Sequence, residues 1–283
     1  MKNQFKKIIN YILKKIIDFL FRFNFGRYFL EIFSSKINSQ FQIIEYKNKK
    51  YKFYTPNRLS YFRAQTFLTK EPLTIKWIEN FDEGSVFWDI GANIGLYSCF
   101  AAKEKNIITY SFEPSVFNLD MLAKNIYENN LNNKITVIPL SLTDKMKISD
   151  FNLSILEKSG SQSTFSEIYG EDGKEFIPKL KYKTLGVNGN EMVNKFNIQK
   201  PHYIKIDVDG IEFLILKGLS EILDNVKSVL IEVNETFQSQ KNNIKELLES
   251  QSFILDEKKQ SEIMKISNQR LKTYNQIWKK IKK

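Results

Sequence analysis

The sequence predicts a doubly wound α/β fold: a mostly parallel sheet with helices on both faces and an N-terminal helical and hairpin appendage. Three observations predict it. From about residue 71 onward, short apolar runs alternate with amphipathic stretches, the rhythm of βαβ units. The run Val86–Ile90 breaks into the turn Gly91-Ala92-Asn93-Ile94-Gly95, which opens a helical stretch; α/β folds use this construction to bring backbone close to a ligand. The apolar runs at 86–90 and 107–112 each close on an acid, Asp89 and Glu113, at the strand ends where open α/β sheets bind ligands.

Residues 1–35 read as an amphipathic helix, with Ile8, Ile9, Ile12, Leu13, Ile16, Ile17, Leu20 and Phe21 at helical spacing and lysines between them. Lys14, Lys15, Asp18 and Arg22 break the apolar run well short of bilayer thickness. The interrupted apolar block, with no small-residue cleavage site after it, does not read as a signal peptide. Two readings remain: the helix lies in a membrane interface with its basic residues at the head groups, or it packs as a cap or as a dimer helix.

Residues 41–55 alternate around a polar Asn-Lys-Lys turn and predict a hairpin. A short helix over 71–81 leads into the core. Strands are predicted near 86–90, 107–112, 135–140, 202–207 and 227–233, and helices near 94–104, 115–129, 211–223 and 240–250. Phe253–Asp256 and Tyr274–Trp278 supply the last two strands. Residues 141–185, rich in Ser, Gly and Lys, break the rhythm and read as a long polar loop or disordered connection over the ligand side of the sheet. The expected division is an appendage over 1–70 and a catalytic domain over 71–283.

Composition narrows the classes. The 283 residues suffice for one substantial core with a small appendage, and 42% hydrophobic residues is ordinary for a folded domain. One cysteine and one histidine exclude a disulfide framework and a structural zinc site. They suit a reducing compartment, so a cytoplasmic location, peripheral at the inner membrane face, is expected. Cys99 reads as a buried small hydrophobe and His202 as structural. The net charge of +11 concentrates at the ends, in Lys2, Lys6, Lys7, Lys14, Lys15, Arg22 and Arg27, and in Lys272, Lys279, Lys280, Lys282 and Lys283. Such clusters favour anionic partners. No RNA-binding module accompanies them, which argues against nucleic acid.

The turn spacing G-x-N-x-G departs from the dinucleotide fingerprint, placing Leu96 where a third glycine belongs, so a pyrophosphate cradle is disfavoured. An acid before the turn suits a cationic ligand, and a carboxylate ending the second strand can accept from a ribose diol. S-adenosylmethionine meets both conditions, being cationic at sulfur and nitrogen with no pyrophosphate. Asp89, Gly91, Asn93 and Gly95 are expected to shape the methionine end of its pocket. Glu113 would bind the ribose, and residues Ser141 to Asp144 would edge the adenine. In the fourth strand Lys205, Asp207 and Asp209 share one face. Charge in a central parallel strand is costly unless it pairs or faces a site. Asp207, Asp209 and Glu232, with Lys205, are therefore the candidate catalytic groups. The three acids could act as base or hold a divalent ion such as magnesium, though nothing requires a metal.

Taken with EPLTIKWIENFDEGSVFWDIGANIGLYS, SFEPSVFNLDMLAKNIYENNL, YIKIDVDGIEFLILKGL and LIEVNE in that order, the segment from about Glu71 to Asn234 resembles the FkbM family of S-adenosylmethionine-dependent methyltransferases. Where the family usually carries Glu before the glycine of the third piece, this chain has Asp209, one methylene shorter. The resemblance implies a Rossmann-like class I methyltransferase fold with a seven-stranded sheet whose final strand inserts antiparallel, and Asp207 nearest the transferring methyl. It also implies O-methylation of a sugar, glycan or glycolipid hydroxyl. The stretch Asp207-Val208-Asp209-Gly210 lacks the Asn/Asp-Pro-Pro-aromatic loop of amino methyltransferases, and Cys99 is misplaced for cytosine-C5 chemistry. An RNA 2′-O-methyltransferase and an inactive, membrane-held cofactor-binding scaffold are the rival readings.

Overall fold

The computed structural model describes residues 2–262 and 272–281. Met1 and the terminal Lys282 and Lys283 lie outside the described residues. The chain separates into two units, Met1–Phe41 and Gln42–Lys283. The first holds helices α1 (Lys2–Leu20) and α2 (Asn24–Asn38); a turn at residues 21–23 divides what the apolar periodicity reads as one helix. Phe5, Ile8, Ile12, Leu13 and Ile16 of α1 and Phe25, Phe29, Ile32 and Phe33 of α2 are all exposed.

The hairpin β1 (Phe41–Tyr46) and β2 (Lys49–Tyr54) turns at Lys47 and Asn48, both with positive φ, which matches the right-handed twist of the strands. The turn therefore centres one residue before the Asn-Lys-Lys reading. Helix α3 (Arg58–Lys70) starts on a capping box between Asn57 and Ser60, and α4 (Pro72–Glu79) on a proline in its first turn.

The expected doubly wound core follows: β3 (Val86–Ile90), α5 (Leu96–Lys105), β4 (Ile108–Phe112), α6 (Val116–Glu128) and β5 (Ile135–Ile138). After an insertion come α7 (Gly189–Phe196), β10 (Tyr203–Ile206), α8 (Glu212–Gly218), β11 (Ser228–Asn234), α9 (Gln238–Ser250), β12 (Phe253–Lys259) and β13 (Thr273–Lys280). The seven-stranded sheet runs β12-β13-β11-β10-β3-β4-β5. Neighbours from β11 to β5 are parallel, and β13 is antiparallel to both β11 and β12. Chain order reverses between β3 and β10, the switch point where such sheets take ligands.

Residues 141–187 differ from the expected loop. They form a second sheet, in the order β6-β9-β7-β8, from β6 (Ser141–Leu142), β7 (Lys147–Leu153), β8 (Ser163–Phe165) and β9 (Leu180–Val187). Its core-facing side holds Phe151, Leu153, Phe165 and Val187. Lys147, Ser149, Asp150, Lys181 and Lys183 interrupt its strands and dilute the apolar alternation to the level of a polar loop.

Alternation puts Val86, Trp88 and Ile90 of β3, with Ile204 and Ile206 of β10, in one apolar layer. Phe87 and Tyr203 face the other. Asn125 on α6 ties the hairpin to the glycine turn: its Oδ1 accepts from Tyr54 N at 2.7 Å and its Nδ2 donates to Ile94 O at 2.7 Å, with the side chain fully buried. Asn125→Leu removes both buried bonds. It is expected to lower unfolding free energy by about 1–3 kcal/mol per buried group, read from urea denaturation; an unchanged midpoint would refute the tie.

Candidate active site

The site forms where the glycine turn, the ends of β4 and β10, and the insertion meet. Gly91 has φ +81°, and a Cβ there would lie 2.0 Å from the Asp207 carbonyl oxygen, so only glycine lets the turn pass this close. Gly91 N and Ala92 N donate to Phe112 O at 3.0 and 3.1 Å, tying the turn to β4. Gly95, also at positive φ, precedes α5.

Glu113 is buried at the end of β4. Its Oε1 accepts from Ser115 N and its Oε2 from Asn93 N, both at 2.8 Å. Burial pushes its carboxyl up to about 7, despite these donors. Asn93 Nδ2 and Asn118 Nδ2 both donate to Gly160 O, at 2.8 and 3.1 Å, which holds the insertion over the turn. Gly91, Asn93, Glu113, Asn118, Ser141, Asp207 and Asp209 line one cleft whose empty space, open mouth included, is about 700 Å³. Leu140, Leu142, Phe151, Phe165 and Ile215 give it an apolar wall.

The second cluster is charged. Lys205 of β10 is 1% exposed and donates to Asp207 Oδ2 at 2.6 Å. It stands across from Asp89 of β3 in register. Burial opposes the charge on Lys205, but Asp207, Asp89 and Glu71 outweigh it and raise its pKa. Burial likewise opposes ionisation of Asp207, and Lys205, Lys70 and Arg63 overcome it, holding the carboxyl below its ordinary value. Asp89 is buried beneath the turn, with Oδ2 accepting from Ser98 Oγ at 2.5 Å and Oδ1 unpartnered; burial raises its pKa. Asp209 Oδ2 accepts from Ser163 N at 3.0 Å, and burial with the charge of Asp207 pushes it up to about 6. Glu232 is partly exposed. Burial first, then the charges of Asp207 and Glu71, push its carboxyl well above the usual range.

The structure thus brings Gly91, Asn93, Glu113, Ser141, Asp207 and Asp209 to one cleft and sets Glu232 and Lys205 beside Asp207. Asp89 lies behind the turn rather than on the cleft wall. Asp144 lies away from it, 3.8 Å from Lys217. Sequence reasoning missed Arg63, Lys70, Glu71, Tyr97 and Asn118. Among them Tyr97 Oη donates to Glu71 Oε2 at 2.8 Å. All five lie outside the strand-end positions that periodicity marks, on or at the ends of helices.

The other one-off residues match their reading. Cys99 is buried and its thiol is pushed up to about 12 by burial. His202 Nδ1 accepts from Val86 N at 3.0 Å, a structural bond. Among the described residues no group of three His, Cys, Asp or Glu is placed to hold a metal ion, and no helix is long and apolar enough to cross a membrane.

The residues present fit S-adenosylmethionine. Among the described residues, buried Asn93 Oδ1, Asn118 Oδ1 and Ser141 Oγ have no hydrogen-bond partner and belong to residues lining the cleft, where a ligand could satisfy them. Fold and cleft together define the Rossmann-like fold of class I methyltransferases, with the cleft at the switch point of the sheet. Residues 89–257 match the methyltransferase FkbM domain, and the chain belongs to that family. It is 30% identical over 159 residues to the hexuronic acid methyltransferase AglP of Haloferax volcanii, matching 56% of this chain and 59% of that relative's length. Among solved structures it is similar to a methyltransferase FkbM from Methylobacillus flagellatus (16% identity, 71% of this chain and 44% of that one, TM-score 0.45). It is also similar to an rRNA methylase from Streptococcus thermophilus (10%, 75% and 97%, TM-score 0.47).

A diol donating to Glu113 favours its ionised form. Because the folded pKa of about 7 lies above the ordinary 4.5, this group's contribution to stability falls as pH rises between those values. Ligand binding then pulls its proton off. Titration with S-adenosylhomocysteine near pH ~6.5, in buffers of different ionisation heat, should show net proton release. Glu113→Gln should abolish that release and weaken binding roughly ten- to hundredfold. Intact affinity in the variant would refute the ribose role.

Proposed function

We propose that this chain is an S-adenosylmethionine-dependent O-methyltransferase acting on a sugar or glycan hydroxyl. One observation carries the cofactor: the Glu113 carboxylate and three unpartnered polar atoms belong to a single cleft that ends at Asp207. Membership of the FkbM family supports methyl transfer, and the name of the hexuronic acid methyltransferase relative supports a sugar acceptor.

When bound, S-adenosylmethionine supplies a methyl group on a positively charged sulfur. Glu113 would hold the ribose, and Asn93, Asn118 and Ser141 the polar edge of the nucleoside. Leu140, Leu142 and Phe165 would exclude water from the base. Asp207, kept ionised by Lys205, places a negative charge next to the glycine turn. Lys205, behind Asp207, acts as a positioning residue.

A hydroxyl acceptor must lose a proton as it attacks. Glu232 has the properties for it. No hydrogen bond occupies its carboxylate among the described residues, it is partly exposed, and its raised pKa makes it the more basic neighbour of Asp207. Asp209 is committed to Ser163 N. Glu232→Gln is expected to cut methyl transfer by roughly 10²–10⁴ while leaving S-adenosylhomocysteine binding intact. In the parent protein, turnover should rise with pH through a limb above the ordinary carboxylate range. A variant of full activity would move the base elsewhere.

We also infer peripheral membrane contact through residues 1–35. The apolar arc of α1, Ile8, Ile9, Ile12, Leu13 and Ile16, is exposed, with Lys6 and Lys15 at its edges and Lys7 and Lys14 on the opposite side. An anionic lipid surface accepts both faces of such a helix. The full chain should float with phosphatidylglycerol vesicles and not with phosphatidylcholine, and the double substitution Ile9→Glu with Ile16→Glu should abolish flotation. Failure to float, with concentration-dependent self-association instead, would make this a dimer face.

A further inference from the structure

The insertion sends a short hairpin, residues 169–175, against the segments that follow β10 and β11. A bridge between Tyr169 and Glu175 closes it, and Gly170 N donates to Lys174 O at 3.0 Å. Two contacts seat it. Gly210, after β10, has φ +122°, and a Cβ there would lie 2.5 Å from the Gly170 carbonyl oxygen, so only glycine admits the hairpin this close. After β11, the Phe237 ring meets Tyr169 edge to face at 5.5 Å. Glu171, at the tip, is fixed to β13: its Oε2 accepts from Thr273 Oγ1 at 3.2 Å.

This brings Glu171 to the two acids of the proposed chemistry. Glu232 feels the charges of both Asp207 and Glu171. Directly across the β11–β13 ladder from Glu232 stands Asn275, and directly opposed side chains of an antiparallel pair share a face. Asn275 is 3% exposed, and its Oδ1 has no hydrogen-bond partner among the described residues. A buried amide oxygen left unpaired is costly; a donor removes the cost.

The open positions here are of one kind. Among the described residues, the Glu232 carboxylate, the second oxygens of Glu171 and Asp207, and Asn275 Oδ1 carry no hydrogen bond. All are acceptors. The cations nearby are engaged: Lys70 with Glu71 at 2.9 Å, Lys174 with Asp172 at 2.9 Å and Lys205 with Asp207 at 2.6 Å. Arg63 lines the cleft on the glycine-turn side, and Lys259, across from Asn275 on the edge strand, is exposed. Burial first, then the charges of Asp172 and Asp207, raises the Glu171 carboxyl. A ligand that donates relieves this crowding of negative charge, and a further carboxylate adds to it.

We infer that the acceptor is a neutral or amino sugar, held through its hydroxyl or ammonium donors by Glu171 and Asn275 beside Glu232, and that Glu171 makes the site reject uronates. The assignment rests on the sugar methyltransferase reading above and deepens it by naming the class of sugar. It sets this chain apart from the relative named for a hexuronic acid.

The test gives the full chain S-adenosylmethionine and p-nitrophenyl glycosides of the gluco, galacto and manno series, each as neutral sugar, amino sugar and uronate. Release of S-adenosylhomocysteine reports transfer. The best neutral or amino sugar should exceed the best uronate in kcat/KM by roughly tenfold or more. Glu171→Gln keeps an oxygen for Thr273 and removes the charge. It should raise KM for the preferred sugar roughly tenfold with kcat within about twofold, narrow the margin over uronates, and leave S-adenosylhomocysteine affinity within about twofold. If a uronate is the best acceptor, the inference falls. If Glu171→Gln moves neither KM nor the margin, Glu171 only seats the hairpin and the inference falls. If the variant weakens S-adenosylhomocysteine instead, Glu171 serves the cofactor and the inference also falls. If the parent protein binds S-adenosylhomocysteine and methylates none of the glycosides, the sugar reading itself fails, and this assignment with it.

Discussion

A lysine buried in the middle of the sheet governs the layout of the site. Lys205 is 1% exposed, and an ammonium taken out of water is tolerated only when anions surround it. Asp207 follows it by two residues on its own strand, Asp89 stands across from it on β3, and Glu71 contributes from the start of α4. The strand order that places β10 against β3 is therefore also the order that lets the charge exist. Removing any of these acids leaves part of a buried charge unanswered, so the charges, the turn and the sheet register depend on one another.

The insertion is integrated by the same economy. Its backbone carbonyls at Lys158, Ser159 and Gly160 are taken by Asn57, Arg63, Asn93 and Asn118, and its Ser163 amide by Asp209. These partners come from α3, the glycine turn, α6 and the end of β10. A polar segment with few apolar residues of its own is thus ordered by side chains that also line the cleft. Its Phe151 and Phe165 line the cleft, and Leu153 packs with them in the core.

Strand-end chemistry was legible in the sequence because it is local. Asp89, Gly91, Asn93 and Glu113 announce themselves by position after apolar runs, and the seven core strands fall within a few residues of where alternation puts them. What is contributed from a distance was not legible. Arg63 and Glu71 lie before the first core strand, and only the packing of α3 and α4 against the turn brings them in. The strands of the insertion were hidden because only one of their faces is apolar. Asp89, expected at the methionine end of the pocket, lies behind the turn, opposite Lys205 in the sheet register. Ser111 Oγ donates to Ser98 Oγ at 2.7 Å and Ser98 to Asp89 at 2.5 Å, a chain no spacing rule reports.

The surroundings of the two acids at the ends of β10 and β11 push their proton affinities apart. Asp207 has Lys205 in contact and Lys70 and Arg63 nearby, so it stays ionised against its own burial. Glu232 has Asp207 and Glu71 as neighbours, with only Lys70 in opposition, so its proton is held more tightly. Neither result comes from the residue type. Two carboxylates of similar intrinsic strength, one on the cation and one beyond it, come to differ in proton affinity, the difference that the proposed chemistry would use. The ionised member raises the basicity of its neighbour through its own field. Lys205 therefore reaches the second acid by fixing the first, and a side chain that touches no reactant would set the proton affinity of one that does.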